Sequence, residues 1–124
     1  MLIGKAYVSI FKYYDTKTKS VSFKKRPVLV IGKADNTDYV VLPISRVSNQ
    51  NNLDSYFDVP ITPSNVPLMN LKQSSYIRTH KQTIINYGEL VEKIVDFKKE
   101  YEELYIEIIL KTEEFQKNLI KNAL

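Results

Sequence analysis

Every proline and every glycine of this 124-residue chain lies at or before position 88, and residues 89–124 contain neither. Proline removes a helical hydrogen bond and clashes with the preceding turn, while glycine adds conformational freedom that a helix must lose. The residues that interrupt long helices are thus confined to the first part of the chain, and a long helix is open only to the last.

The first part reads as short strands separated by turns. "KAYVSIF" (5–11) alternates Ala6, Val8 and Ile10 with Tyr7, Ser9 and Phe11, the period of a strand. "YYDTKTKSVSF" (13–23) reads as a polar, basic connection. "PVLVI" (27–31) is continuously apolar, as in a strand covered on both faces. Asp35 and Asn36 supply turn chemistry before "YVVLPI" (39–44), in which Pro43 marks an edge, a bulge or a strand end. "YFDVPI" (56–61), "YIRT" (76–79) and "TIIN" (83–86) complete the set. Strands so short and so closely spaced suggest a small barrel or sandwich.

At Asn86 the period changes. Asn86 and Glu89 have the spacing of a capping box. Leu90, Ile94, Phe97, Tyr101, Leu104 and Ile108 then recur at alternating spacings of four and three, one face of a helix. Phe115 and Leu119 resume that face after a polar gap at Lys111 and Thr112. A continuous helix over 89–124 would be ~54 Å long at ~1.5 Å per residue, against a body ~26–28 Å across. It is expected to break near Lys111 and fold back, or to project. The chain therefore reads as one α+β domain, mainly β with helices: a basic β-body (1–88) and a C-terminal helical segment (89–124).

The net charge of +4 is unevenly spread. Residues 1–88 hold twelve Lys/Arg against five Asp/Glu, net +7, and residues 89–124 hold six against nine, net −3. A basic body fits a polyanionic partner, although lysines also serve solubility. There is no cysteine and one histidine, which excludes disulfides, thiolate chemistry and zinc sites built on them. The three glycines form no phosphate-cradling motif, and no cofactor is expected. The carboxylates of the body sit mostly in turn-like contexts and offer no pair for hydrolysis. No apolar run reaches the ~20 residues of a membrane span, and the opening residues lack the signal-peptide pattern, so a cytoplasmic protein without membrane contact is expected.

What remains is a basic constellation with a hydroxyl. Arg26 precedes the buried strand of "KKRPVLVIG", Ser45 and Arg46 end "LPISR", and Arg78 and His80 lie in "SYIRTHKQT". Two residues apart on a strand, Arg78 and His80 point the same way. Arginine forks match phosphate oxygens, and an imidazole exchanges protons near neutrality. Each residue also has a plain structural role: Arg26 as a strand-edge gatekeeper, Ser45 in a turn, Arg78 in an ion pair, His80 at the surface. Tyrosines such as Tyr13, Tyr14 and Tyr76 either stack bases or line a barrel wall.

The order of these pieces resembles the MazF/PemK family of toxin endoribonucleases. "IGKAYVSIF", "KRPVLVIG", "VVLPIS" and "YIRT" before a C-terminal helix follow that family's succession over residues 3–110. The resemblance implies a small SH3-like β-barrel of the MazF/PemK/CcdB type with an extended C-terminal helix. It implies metal-independent cleavage of single-stranded RNA by the substrate's own 2′-hydroxyl, leaving a 2′,3′-cyclic phosphate and a 5′-hydroxyl. Arg26 matches the arginine held to be catalytic, Ser45 stands where a threonine is usual, and Arg78 matches the arginine of the R-T segment. The acid of that segment is replaced by Lys81, and His80 occupies a usually apolar position. A guanidinium with a pKa above ~12 is a poor proton carrier, so Arg26 suits charge stabilisation, and His80 proton transfer if its ring faces the site. Lys12, Lys17, Lys19, Lys24, Lys25, Arg46 and Lys81 are candidates for an RNA path. The family also implies a homodimer and a cognate antitoxin. The competing reading is a non-catalytic barrel of the same fold: a gyrase-inhibitor-like or nucleic-acid-binding module, or a phage accessory protein.

Overall fold

The computed structural model describes residues 1–124. Its longest ladder joins β1 (Ala6–Asp15) to β2 (Ser20–Lys33), antiparallel and in register from Ala6↔Leu29 to Asp15↔Ser20. The segment expected as a polar connection is therefore mostly strand, and only residues 16–19 turn. There Asp15 Oδ1 accepts the Lys17 N–H at 2.9 Å, and Lys19 takes a left-handed φ of 54°. Backbone pairing across this hairpin needs no buried side chains, so its polar composition concealed it. Beyond Ser9, β1 has no partner but β2; β2 meets its other neighbour only over Val28–Lys33. The far half of the hairpin consequently projects as a two-stranded ribbon, with Tyr14, Val21 and Phe23 exposed on it.

The remaining strands are β3 (Asp38–Ser45), β4 (Asp58–Ile61), β5 (Ser75–Arg78), β6 (Thr83–Asn86) and β7 (Leu90–Val95). They form a curled antiparallel half-barrel in the order β4-β5-β3-β2-β1-β7, with β6 beside β3. One edge of β3 is shared: β6 pairs with Asp38–Val41, and β5 with Ile44 and Ser45. Pro43 falls in the interval that neither strand pairs, where a missing N–H costs no ladder bond on that edge.

The continuous apolar run of β2 is covered on both faces, as its composition predicts. Leu29 joins Leu42, Ile44, Ile61 and Ile77 in the main core, while Val28 and Val30 pack with Val41 and Ile85 on the other side. The main core is closed by Phe97 of α1 (Phe97–Glu100) and by Tyr105 and Ile108 of α2 (Glu102–Ala123). The entry to α1 is tied to the N-terminus, where the Lys98 N–H donates to the Gly4 carbonyl at 2.8 Å. Gly4 has a φ of 89°, and a Cβ there would lie 2.8 Å from Lys98 Cβ, so only glycine fits without displacement.

The helical segment expected over 89–124 is corrected at its start. The Asn86–Glu89 capping box forms, but it heads a single 3-10 turn (Tyr87–Glu89), and the chain then continues as β7. Leu90 and Ile94 are four apart and satisfy either period. The free edge of β1 at Ala6–Ser9 decides for a strand by supplying hydrogen-bond partners. Nor does α2 break near Lys111; its 22 residues run on unbroken, about 33 Å at ~1.5 Å per residue. The polar gap there faces inward. Thr112 is buried, its hydroxyl donating to the Ile108 carbonyl at 2.9 Å, and Lys111 Nζ donates to the Tyr56 carbonyl at 2.7 Å. No helix is long and apolar enough to cross a membrane.

Candidate functional site

The β2–β3 ladder ends at Val28↔Pro43. Carrying that register two residues further brings Arg26 opposite Ser45, with both side chains on the face opposite the main core. The turn between β5 and β6 crosses the interval at Pro43 and delivers His80 and Lys81 to the same place. The result is a cleft of about 520 Å³ walled by Arg26, Ser45, Arg78, His80 and Lys81, with Pro43, Gln82 and Thr83. No carboxylate lines it. The four residues proposed from the sequence as catalytic thus meet in one cleft, although 54 positions separate Arg26 from His80.

Arg26, Ser45 and Arg78 also line a second, larger groove of about 930 Å³. Lys25, Arg46, Lys72 and Lys93 add positive charge there against the single carboxylate of Glu92, and Asn49, Asn52, Asn70 and Gln73 add amides. With the Gln73 amide oxygen turned toward it, Arg46 donates from Nε and Nη1 at 2.7 and 2.9 Å. Among the other RNA-path candidates, Lys12, Lys17, Lys19 and Lys24 lie on the ribbon and line neither groove. Lys24 covers the Tyr13 ring at 4.8 Å and Lys12 the Phe23 ring at 6.0 Å. Lys17 and Lys19 occupy the exposed tip.

The two arginines of the cleft differ. Arg78 donates from Nε to Asp58 Oδ1 at 2.9 Å, and from Nη2 to Asp58 Oδ2 at 3.3 Å and to the Asn52 carbonyl at 2.7 Å. Arg26 takes part in none of the molecule's ion pairs. The internal arginine side-chain hydrogen bonds belong to Arg78 and Arg46, so the guanidinium of Arg26 keeps its donors for a ligand. Ser45 Oγ accepts weakly from the Val47 N–H at 3.4 Å, and its own proton has no acceptor. Val47, left-handed at φ 46° despite a β-branched side chain, is strained just past the end of β3, in the wall of the larger groove.

His80 is the titratable group of the cleft whose ordinary pKa lies nearest neutrality. Burial pushes it down; the Asp58 and Asp54 carboxylates oppose that shift, and Arg78 and Lys81 add to it. The net effect favours the uncharged imidazole. Asp54 is held below the usual carboxylate range, chiefly by the N–H groups of Phe57 and Tyr56.

No protein-family model matches the chain, and no curated protein matches it.

Sequence reasoning missed Asp58. Unlike the body's carboxylates in turn-like contexts, it lies in β4 with a fully buried side chain, paired across the ladder with Arg78. The signal was present in "YFDVPI": a carboxylate inside an apolar strand must find a cation or a set of donors. Glu92 and Lys93 were missed because β7 was read as helix.

Proposed function

We propose that this protein is a metal-independent endoribonuclease of the MazF/PemK type, acting on single-stranded RNA as the toxin of a toxin–antitoxin pair. The observation that carries the reading is the convergence of Arg26, Ser45 and Arg78, from three separate strands, on one carboxylate-free cleft. Those are the residues that the family resemblance selects, in an environment that attracts a phosphodiester. The half-barrel with its C-terminal helix is consistent with the SH3-like barrel of that family.

In this reading the scissile phosphate sits between Arg26 and Ser45. The unpaired guanidinium of Arg26 neutralises charge that grows on the phosphorane oxygens, and the Ser45 hydroxyl donates to a non-bridging oxygen. Arg78, fixed in the cleft wall by Asp58, brings its remaining Nη1 donors to the same phosphate. The second groove, rich in lysine, arginine and side-chain amides, receives the flanking nucleotides, whose unpaired edges amides can read. The ribbon lysines extend the basic track. A homodimer and an antitoxin segment that covers the cleft belong to the same reading.

The test is to incubate the purified protein with total RNA in excess EDTA and map the new 5′ ends. Discrete cuts that leave 5′-hydroxyl ends support the proposal. Cleavage that is lost in EDTA and restored by Mg²⁺ overturns the metal-free mechanism. Salt-sensitive RNA binding without any cleavage overturns the nuclease in favour of a nucleic-acid-binding module.

A further inference from the structure

Asp58 and His80 adjoin the proposed phosphate site as a pair. His80 Nδ1 is buried, has no hydrogen-bond partner, and stands 3.8 Å from Asp58 Oδ1. A buried ring nitrogen without a partner calls for one, and Asp58, with a fully buried side chain, is the carboxylate beside it. Aromatic rings also flank the imidazole. Phe57 lies 6.2 Å and Phe115 of α2 6.1 Å from its centroid, and these two rings meet edge to face at 5.3 Å. Gln116 of the same helix donates to Gln82 Oε1 at 3.1 Å, which fastens the far end of the His80 turn. The side chain of His80 is 12% exposed, and its residue lines the cleft.

From this geometry we infer that Asp58 and His80 form a carboxylate–imidazole dyad, clamped by α2, that performs the proton transfer at this site. Asp58 is a positioning residue: by accepting from Nδ1–H it selects the tautomer whose Nε2 carries a free lone pair for the cleft. A gap of 3.8 Å closes by a small rotation of the ring, and such hydrogen bonds commonly tighten when substrate binds. The charged groups facing the imidazole are Asp58 from β4, Asp54 from the preceding loop, Arg78 from β5 and Lys81 from its own turn. Helix α2 presents Phe115 to it, while Glu114 and Lys111 are engaged with Tyr56.

The inference rests on the nuclease reading. In the step, Nε2 takes the proton of the 2′-hydroxyl as the bond from the 2′-oxygen to phosphorus forms. The bond from phosphorus to the 5′-oxygen breaks, and the leaving oxygen takes a proton from water. The imidazolium then returns its proton to the hydroxide so formed. Arg26 is relieved of a proton transfer to which guanidinium is unsuited.

Because His80 is the only histidine, its ring nitrogens can be followed by ¹⁵N NMR without assignment ambiguity, beside pH–rate profiles on RNA. The expected result is an Nδ1–H tautomer at neutral pH and an acid limb in the rate profile at the pKa of that ring. His80→Gln should lose about 10²–10⁴-fold in rate together with that limb. Asp58→Asn should lose at least about tenfold and move the limb to lower pH, since removing the carboxylate destabilises the imidazolium. An Nε2–H tautomer, or a His80→Gln profile with unchanged limbs in an enzyme that cleaves RNA, overturns the dyad and leaves the nuclease standing. A folded wild-type protein that cuts no RNA overturns both. The tautomer is measured on the unaltered protein, so it decides even if Asp58→Asn fails to fold.

Discussion

Arg78 grips Asp58 with two donors, Nε to Oδ1 at 2.9 Å and Nη2 to Oδ2 at 3.3 Å, across adjacent strands in direct register. Asp58 Oδ2 also accepts the Asp54 N–H at 2.8 Å, so one buried carboxylate joins a strand, its neighbour and a loop. Removing one partner of such a pair strands a charge, whereas removing both does not. Arg78→Ala is expected to cost about 3–5 kcal/mol, read as a lower urea midpoint. The double replacement Arg78→Met with Asp58→Leu should recover most of that stability. A single substitution that costs under about 1 kcal/mol would show the pair to be a surface-type contact.

Arg26 has no such partner, and its loss should be functional rather than structural. Arg26→Ala should lower RNA cleavage at least about 100-fold, the scale of a lost transition-state donor, with an unchanged urea midpoint. Arg26→Lys keeps the charge without the planar fork and should fall between the two. Retained cleavage by a folded Arg26→Ala protein would remove this residue from the site.

The depressed pKa of His80 has a consequence for folding. The unfolded chain takes up a proton near pH 6.5, whereas the folded ring does so only at lower pH because burial disfavours its charge. The unfolded state therefore binds more protons below that point, and stability falls as pH drops from about 7 toward the folded pKa. Urea midpoints across this range should decline in the parent and stay flatter in His80→Gln. Parallel curves would show that the ring is not shielded as described.

The projecting ribbon should act through charge. Neutralising Lys12, Lys24 and Lys25 to glutamine should flatten the logarithmic salt dependence of single-stranded RNA binding by up to about 2, at ~0.7 per phosphate contact. These residues lie outside both cores, so thermal stability should hold. An unchanged slope would place the RNA path elsewhere on the surface.

Several features were legible in the residues because their causes are local. A five-residue apolar run bounded by Arg26 and Gly32 reads as a strand covered on two faces, and that is how β2 packs. The Asn86–Glu89 box forms where its spacing says it should. The lack of proline and glycine after Gly88 left α2 free to run 22 residues.

Other features depended on partners that the sequence does not name. Leu90 and Ile94 fit either a helix or a strand, and the unpaired edge of β1 settled which. The polar ribbon became two strands because its ladder extends the β1–β2 pairing out of the core, with Lys12 covering Phe23 and Lys24 covering Tyr13 along it. Asp58 in its apolar strand announced the need for partners but not which ones, since Arg78 and His80 reach it only when β4 pairs with β5.

By itself, then, the sequence determined the basic charge of the body, the strand-forming runs, the capacity for one long helix and the residue types available for phosphate chemistry. These follow from side-chain chemistry and short-range periodicity. The tertiary structure alone decided that Arg26 is free while Arg78 is bound, and that Pro43 marks the opening between β5 and β6. It also decided that the one histidine rests against a buried carboxylate under Phe115. Those relations depend on strand register and on which edge meets which, and both are set by hydrogen bonding and burial between segments far apart in the chain.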